Sequence, residues 1–569
     1  NFRSQRSRFN ISNNNHNYHN HNYNYHNNHH STTTTIDSDT DPCPAIGRQS
    51  PYLQLAREYH AAADPIIKPI SGVSFGVPRK WQDALLPVVK GGPLLEGFHP
   101  VVPDNGYHNF VAAFRKRCNY HSNQRASPKV LSAAIELTSL LVPDQLPSFE
   151  WSRELFDTWN SKFGAEKQRR MVDALDLFAS SRVKDYSRKE VFVKTEALLV
   201  QHKPNWAPRV IYKGTDVHNA LSGPIVCELL DRLNQCCERT TGQHRFRLAY
   251  KKTAPDYVPF LEEGSGDYVE CDFSSNDKLQ CPDVHVLCMR LFRRLGAPEW
   301  WVRLYGLSNT FEVANRKHGL KAVIQNQLPT GATDTTLRNS FWNMVISYAF
   351  IRETRVEVSS SCILGDDALH RVQGLPRNAC RIYENIAREA VMEAKVKRFP
   401  CMVSTTFLSR CFIPNKRKSH FTVPLLGKAI ARFNMRANLN PALSDHAYFA
   451  GKAVGYAYEF RFVPQLRDLF LQRFSWEWGF VKHDPKGFRD ADAYVSWNAR
   501  EAGVTLRNIR SKIILDDVAS FTEFNAFCYH RYGIFGSDVE DLFAEVVLNP
   551  ESLDDVSGCH YNVLAHDFL

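Results

Sequence analysis

The sequence predicts an α+β protein, on three observations from the middle of the chain. Tyr268-Val269-Glu270-Cys271-Asp272-Phe273 reads as a strand and leads into Ser274-Ser275-Asn276-Asp277, where a strand gives way to a helix. Gly365-Asp366-Asp367 interrupts two short apolar runs, Ser361-Cys362-Ile363-Leu364 and Ala368-Leu369-His370-Arg371-Val372, so the pattern is a hairpin with a negative tip. Between them, Thr330-Gly331-Ala332-Thr333-Asp334-Thr335-Thr336-Leu337-Arg338-Asn339 is a glycine loop opening onto a helix. Adjacent carboxylates at a tip are costly unless water or a cation neutralises them.

The remaining elements follow in chain order. The chain has 569 residues, 43% of them hydrophobic, enough for a large core divided among several subdomains. Lys and Arg exceed Asp and Glu, giving +10, a balance that suits a polyanionic partner. The 14 Cys include no CxxC pair, and adjacent Cys236-Cys237 have the wrong spacing for a zinc half-site, so free thiols in a reducing cytosol are expected. No apolar run reaches membrane-spanning length and no secretory signal is visible. The first residue is Asn1, as expected of a fragment or cleavage product of a longer chain.

Residues 1–44 are rich in Asn, His, Tyr, Ser and Thr, with almost nothing apolar to bury, and read as a disordered tail. Helices are expected over 129–141, 150–163, 282–295, 334–352 and 377–397, the last running into Lys395-Val396-Lys397. A strand is expected at Val191-Phe192-Val193-Lys194. Another follows Lys203-Pro204, at Pro208-Arg209-Val210-Ile211-Tyr212-Lys213, and strand alternation puts Arg209, Ile211 and Lys213 on one face. Residues 406–412 read as a compact strand pair, 415–418 as a basic turn, and the chain beyond 425 as largely helical, with aromatics such as Trp476, Trp478 and Phe480.

This order of carboxylate strand, glycine loop and carboxylate hairpin suits metal-dependent nucleotidyl transfer. Phosphoryl transfer needs positioning and charge neutralisation more than covalent chemistry. Two magnesium ions about 3.5–4 Å apart clamp the attacking and leaving oxygens, and magnesium takes hard oxygen ligands. Asp272 and Asp366 are the minimal carboxylate pair, adjacent if their strands share one antiparallel sheet. Asp277 is placed to accept a hydrogen bond from a ribose hydroxyl. Thr335 and Asn339 share a helix face and point together at the sugar, and Gly331 lets the preceding loop approach the substrate. A lone Asp is more often a turn or cap residue; the joint pattern is what carries the chemistry.

These residues resemble a known family. Asp272-x4-Asp277, Thr330-Gly331-x3-Thr335-x3-Asn339 and Gly365-Asp366-Asp367 resemble motifs A, B and C of viral RNA-dependent RNA polymerases. Phe192-Val193-Lys194-x-Glu196, Lys203-Pro204, Pro208-Arg209-Val210-Ile211 and the later Gly223-Pro224 resemble motif F of the tombusvirus- and nodavirus-like groups of positive-strand RNA viruses. The Lys395-Val396-Lys397 region is similar to motif D and Phe407-Leu408-Ser409-Arg410 to motif E. The chain departs from the pattern where Thr330 replaces the usual Ser and where Asn276, not an aromatic, precedes Asp277.

The resemblance implies a closed right hand: an N-terminal extension and fingers over 45–268, a palm with an antiparallel sheet over 269–424, and a mostly helical thumb over 425–569. It implies that Asp272 and Asp366, with Asp367 close by, bind Mg2+, or Mn2+ in its place. Lys194 and Arg209 hold the triphosphate, while Asp277, Thr335 and Asn339, beside Gly331, select ribose. Lys395 or Lys397 protonates the leaving pyrophosphate. Arg410 braces the primer, and Lys203 and Lys213 are further basic residues placed against RNA. Template and product RNA, NTPs and viral or host replication-complex proteins are the implied partners, and the host cytoplasm, in membrane-associated replication complexes, the implied place. Two rivals stay open. A reverse transcriptase shares the palm but usually carries aromatic-x-Asp-Asp where this chain has Gly365-Asp366-Asp367. A non-catalytic RNA-binding protein would gain nothing from the carboxylates. NTP against dNTP extension separates the first, and magnesium-dependent incorporation the second.

Overall fold

The structure, a computed structural model, describes residues 85–86, 98–103, 105–119, 123–201, 206–240, 244–274, 276–417, 419–436, 440, 442–549 and 558–568. The segment 1–44 and Lys203 lie outside the described residues. The described strands are β1 (Leu85–Leu86), β2 (Phe98–Pro103), β3 (Arg188–Val193), β4 (Leu198–Gln201), β5 (Val210–Gly214), β6 (His244–Leu248), β7 (Asp267–Ser274), β8 (Thr310–Asn315), β9 (Leu320–Gln325), β10 (Glu357–Leu364), β11 (Asp367–Gln373), β12 (Glu393–Phe399), β13 (Arg410–Pro414) and β14 (His420–Pro424).

A five-stranded sheet ordered β12-β7-β11-β10-β6 carries the carboxylates. Its pairings are antiparallel except β10 with β6. Strand alternation covers both faces. Val269, Cys271, Ile363 and Ala368 point to one face and join the main core with the Asp216–Glu238, Pro282–Arg294, Thr335–Thr354 and Ala379–Glu389 helices. Tyr268, Cys362 and Leu369 point to the other, against Tyr257 and Leu261 of the Ala254–Glu262 helix and Phe407 and Phe412. Burial on both faces fixes the register, since a one-residue slip would turn every one of these side chains over.

A four-stranded sheet ordered β5-β3-β8-β9 has its own core, with Val191, Val193, Val210, Tyr212, Phe311 and Val313. β5 buries Val210 and Tyr212, leaving Arg209 and Lys213 exposed as the alternation predicts. Beyond residue 425 every described element is a helix, and their apolar faces form a separate core. The described cysteines are all free thiols. Among the described residues no helix is long and apolar enough to cross a membrane.

Two expectations are corrected. The helix expected over 377–397 ends at Glu389; the chain turns through Val391, at φ 62, and continues as β12. Lys395-Val396-Lys397 therefore lies on a strand, where it pairs with β7, and only Val396 is buried. Within 406–412, Phe407 and Arg410 close a two-residue turn through Leu408 and Ser409, both at positive φ, and the extended hairpin is β13 with β14. The basic turn of that hairpin is closed by Ser419, whose carbonyl accepts from the Asn415 amide at 2.8 Å.

Candidate active site

β7 and the β10–β11 hairpin bring the carboxylates together. β11 lies beside β7 with Ala368 opposite Cys271, so Asp367 starts its strand next to Asp272. Leu364 pairs with Asp367, which leaves Gly365-Asp366 as a two-residue turn with φ +63 at Gly365, the glycine-first pattern that suits strand twist. The Thr335–Thr354 helix holds this turn from below. The Ser340 hydroxyl accepts from the Gly365 amide at 2.8 Å, and the Asn343 side-chain amide donates to the Gly365 carbonyl at 3.3 Å. Asn339, Asn343 and Ser347 form a buried polar stripe at helical spacing, beside buried Arg338 and Ser340, in a helix whose other buried residues are apolar. That stripe is a sequence signal for the hairpin contact.

Charge crowds here. Burial pushes the Asp367 carboxyl up to about 7, helped by Asp366, Asp272 and Glu270 and opposed by Lys428. Asp272 is raised by burial and by Asp366, and is pulled back by Lys395, Lys428 and Lys397. β12 places Lys395 opposite Asp272 and Lys397 opposite Glu270. Two contributors were not singled out from sequence. Glu270 lies two residues before Asp272, and strand alternation could have found it. Lys428 reaches in from the Leu426–Phe433 helix, and nothing local marks it. Among the described residues no three acidic, His or Cys side chains close into a cation cage. Asp272 and Asp367 start from neighbouring strands with Asp366 on the adjoining turn, and the three offer hard oxygen donors that could hold a cation. That fits Mg2+ or Mn2+, which keep water and substrate oxygens in their shell.

Asp277 sits on the short Asn276–Leu279 helix after β7. Its carboxylate accepts from the Asn339 side-chain amide at 2.8 Å and from the Thr330 hydroxyl. Burial raises its pKa, and these two hydrogen bonds pull it back. Thr330, the departure from the usual Ser, thus supplies a hydroxyl to the same carboxylate. Behind Asn339 the network continues, Gln280 donating to Asn339 at 2.6 Å and Arg338 donating to Gln280 and to Tyr305. The Tyr305 hydroxyl donates to Asp334 at 2.8 Å. Thr335 does not join Asn339 at a common point; its hydroxyl donates to the Ala332 carbonyl at 3.0 Å. Gly331, at φ +95, packs over β5, where a Cβ would stand 3.0 Å from the Tyr212 carbonyl.

The second sheet brings basic groups. The Lys194 amide donates to the Arg209 carbonyl at 2.8 Å, so the two residues are neighbours across β3 and β5. Glu196 lies between them, 2.8 Å from the Lys194 ammonium and 3.6 Å from the Arg209 guanidinium. Arg117 fixes the approach to Arg209 by donating to the Pro208 and Ala207 carbonyls. An open cavity of about 190 Å³ joins the sheets, with Arg209, Asp277, Thr330 and Asp366 in its wall. Lys213 faces a different cavity. Arg410 is held internally: its guanidinium donates to Thr422 at 3.0 and 2.9 Å and pairs with Glu459 at 2.5 Å.

The site thus joins a carboxylate cluster to a basic strand pair across one cavity. No curated protein matches the chain. The family described as RNA dependent RNA polymerase matches residues 103–447, more than half of its length, a span containing every candidate residue named above. The chain belongs to this family of viral replication, and it is an RNA-directed RNA polymerase, a nucleotidyltransferase acting on RNA and NTPs.

Proposed function

We propose that the chain replicates the genome of a positive-strand RNA virus of the tombusvirus- or nodavirus-like type by two-metal transfer of nucleotides from NTPs to an RNA 3′-hydroxyl. The frame is a right hand, with fingers over 45–268, palm over 269–424 and thumb over 425–569. One observation carries the reading: Arg209, Asp277 and Asp366, from three separate segments, share one cavity.

Asp272, Asp366 and Asp367 hold the cations. Divalent ions, when bound, neutralise the charge that builds on the attacking and leaving oxygens. Arg209 and Lys194 hold the triphosphate, which displaces Glu196 from both; one Glu196 oxygen is already buried without a hydrogen-bond partner. Asp277 and Asn339 read the ribose 2′-hydroxyl. Thr335 joins them once its hydroxyl leaves the Ala332 carbonyl, and Gly331 allows that movement. Lys395, opposite Asp272, holds the proton for the leaving pyrophosphate, with Lys397 two residues further along the same strand. Lys203, Lys213 and Arg410 face or brace the RNA. Host cytoplasm, in replication complexes on membranes, is the proposed place of action.

The test is NTP incorporation on a short RNA template with Mg2+, comparing wild type with Asp366→Ala and Asp272→Ala. Each variant is expected to stay folded and to lose incorporation by more than about a thousandfold, several kcal/mol of transition-state stabilisation. Near-normal incorporation by either folded variant rules out the metal assignment. Extension with dNTPs as readily as with NTPs would favour the reverse transcriptase reading instead.

A further inference from the structure

The helical C-terminal part of the chain reaches the carboxylate strand through one buried arginine. Arg531 lies in the last turn of the Phe521–Tyr532 helix, with its side chain only 2% exposed. Its guanidinium donates to the Val403 carbonyl at 3.1 Å, to the Thr405 carbonyl at 3.0 Å and to the Thr406 hydroxyl at 2.9 Å. All three acceptors lie on one bend between β12 and β13, which opens with the short 3₁₀ helix Met402–Ser404. In that bend the Thr406 amide is aimed at β7, where it donates to the Glu270 carboxylate at 2.8 Å. Glu270 stands two residues before Asp272, so both side chains leave the strand on the same face, ~7 Å apart along it.

Arg531 is itself braced. The buried Asp567 carboxylate, from the Gly558–Phe568 helix, faces it at 3.8 Å. The same carboxylate accepts from the Gly427 amide at 2.7 Å and from the Tyr532 hydroxyl at 3.3 Å. Gly427 lies in the first turn of the helix that carries Lys428, and a Cβ there would stand 2.4 Å from the Val563 carbonyl, so glycine is what lets the two helices meet. One buried carboxylate thus fixes both the arginine that shapes the bend and the helix whose Lys428 acts on Asp272 and Asp367. Glu270 needs to be held. Three carboxylates already crowd this end of the sheet, and a fourth one free to swing would compete for a cation and displace it, where small misplacements are costly. Burial raises the Glu270 carboxyl, and the Thr406 amide leads the groups that pull it back, ahead of Lys397 and Arg531. That amide belongs to the main chain, so its aim is set by the bend, and the bend is set by Arg531.

We propose that Arg531, braced by Asp567, is a positioning residue for nucleotide transfer: by fixing the 403–406 bend it keeps Glu270 on the Thr406 amide and out of the Asp272 cluster. This role rests on the assignment of Asp272, Asp366 and Asp367 to the cations. It ties the geometry of the carboxylate strand to two helices that lie more than 100 residues further along the chain.

The test uses the full chain. Arg531→Lys keeps the charge but has no planar fork to span two carbonyls and a hydroxyl. It should lower kcat about tenfold and leave the Michaelis constant for NTP within about twofold, since the Arg209 cavity is walled by other segments. Glu270→Gln removes the charge but keeps an acceptor for the Thr406 amide. In that background Arg531→Lys should cost less than about threefold, because the two residues act as one unit. Without metal or substrate, hydrogen exchange read by mass spectrometry should speed up over 403–407 by about tenfold or more in both Arg531→Lys and Asp567→Asn. An equal loss of kcat in the two backgrounds marks a merely structural arginine and overturns the proposal. Unchanged kcat or unchanged exchange in folded Arg531→Lys overturns it as well. Should Arg531→Lys fail to fold, Thr406→Val, which removes only the hydroxyl partner, decides the matter in the same cycle, with a loss of about threefold expected when Glu270 is present and none in Glu270→Gln. If Asp366→Ala incorporates normally, the cation reading falls, while exchange over 403–407 still decides whether Arg531 shapes the bend.

Discussion

Asp277 and Asn339 are held to each other before any substrate arrives. The Asn339 amide donates to Asp277, and its carbonyl accepts from Gln280. Both polar atoms of the Asn339 side chain therefore have a fixed direction, and its burial leaves little room for another rotamer. A site built to bond a hydroxyl rejects the analogue lacking it, because polar groups are left unpaired. Asn339→Asp keeps the acceptor for Gln280 but replaces the donor to Asp277 with a second negative charge, so the pair springs apart. The preference for NTP over dNTP should then fall by about tenfold or more, with incorporation of NTP itself also slowed. Competing incorporation of the two nucleotides by folded variant and wild type measures this. Unchanged discrimination in both Asn339→Asp and Asp277→Ala would remove the pair from sugar selection.

At the level of elements, the carboxylate tip is only as well placed as the turn that carries it. Asp366 is exposed at the end of a hairpin, and its position depends on the Ser340 hydroxyl at the Gly365 amide and Asn343 at the Gly365 carbonyl. Ser340→Ala orphans that amide, a loss of about 1–3 kcal/mol of stability. It should lower kcat about tenfold with little change in the Michaelis constant for NTP, because chemistry is sensitive to small misplacement. A denaturant titration and steady-state kinetics on the same preparation check both halves; full activity in a destabilised variant would show that the turn holds without Ser340. The hairpin itself was legible in the sequence because alternation and turn chemistry are local. So were β7 and the Thr335–Thr354 helix. β12 was not: with Lys395, Lys397 and Arg398 exposed it has only a thin apolar face, and its strand form comes from pairing with β7. The Gln280–Arg338–Tyr305–Asp334 network and Lys428 were equally hidden, since each is defined by contacts between distant segments. The role assigned to Thr335 rested on helix spacing and that of Arg410 on motif position, and the bonds each makes internally have no local sequence signal.

At the scale of the whole molecule, function depends on two sheets meeting across one loop. The Thr330 carbonyl accepts from the Tyr212 amide of β5 at 2.9 Å, while the Asp277 carbonyl accepts from the Leu328 amide at 3.0 Å. The loop before the Thr335–Thr354 helix therefore ties the basic sheet to the carboxylate sheet and sets the width of the cavity between Arg209 and Asp366. Arg209 follows Pro208, whose ring fixes its own φ and restricts Ala207, and Arg117 holds the carbonyls just before Arg209. Its planar fork can engage two phosphate oxygens at once, which a lysine cannot match. Glu196 offers it only a 3.6 Å approach, so a triphosphate competes for a weakly held group that is already more than half exposed. Arg209→Lys is expected to raise the Michaelis constant for NTP several-fold and Arg209→Ala more strongly, by about tenfold or more, the worth of one charge-assisted hydrogen bond. Folding and RNA affinity should change less. An arginine that touched template phosphates instead would, on removal, weaken RNA binding and flatten its salt dependence while NTP use stayed intact. Titrating NTP at saturating RNA, then RNA at several salt concentrations, separates the two, and weaker RNA binding without an NTP defect would move Arg209 from the substrate cavity to the template path.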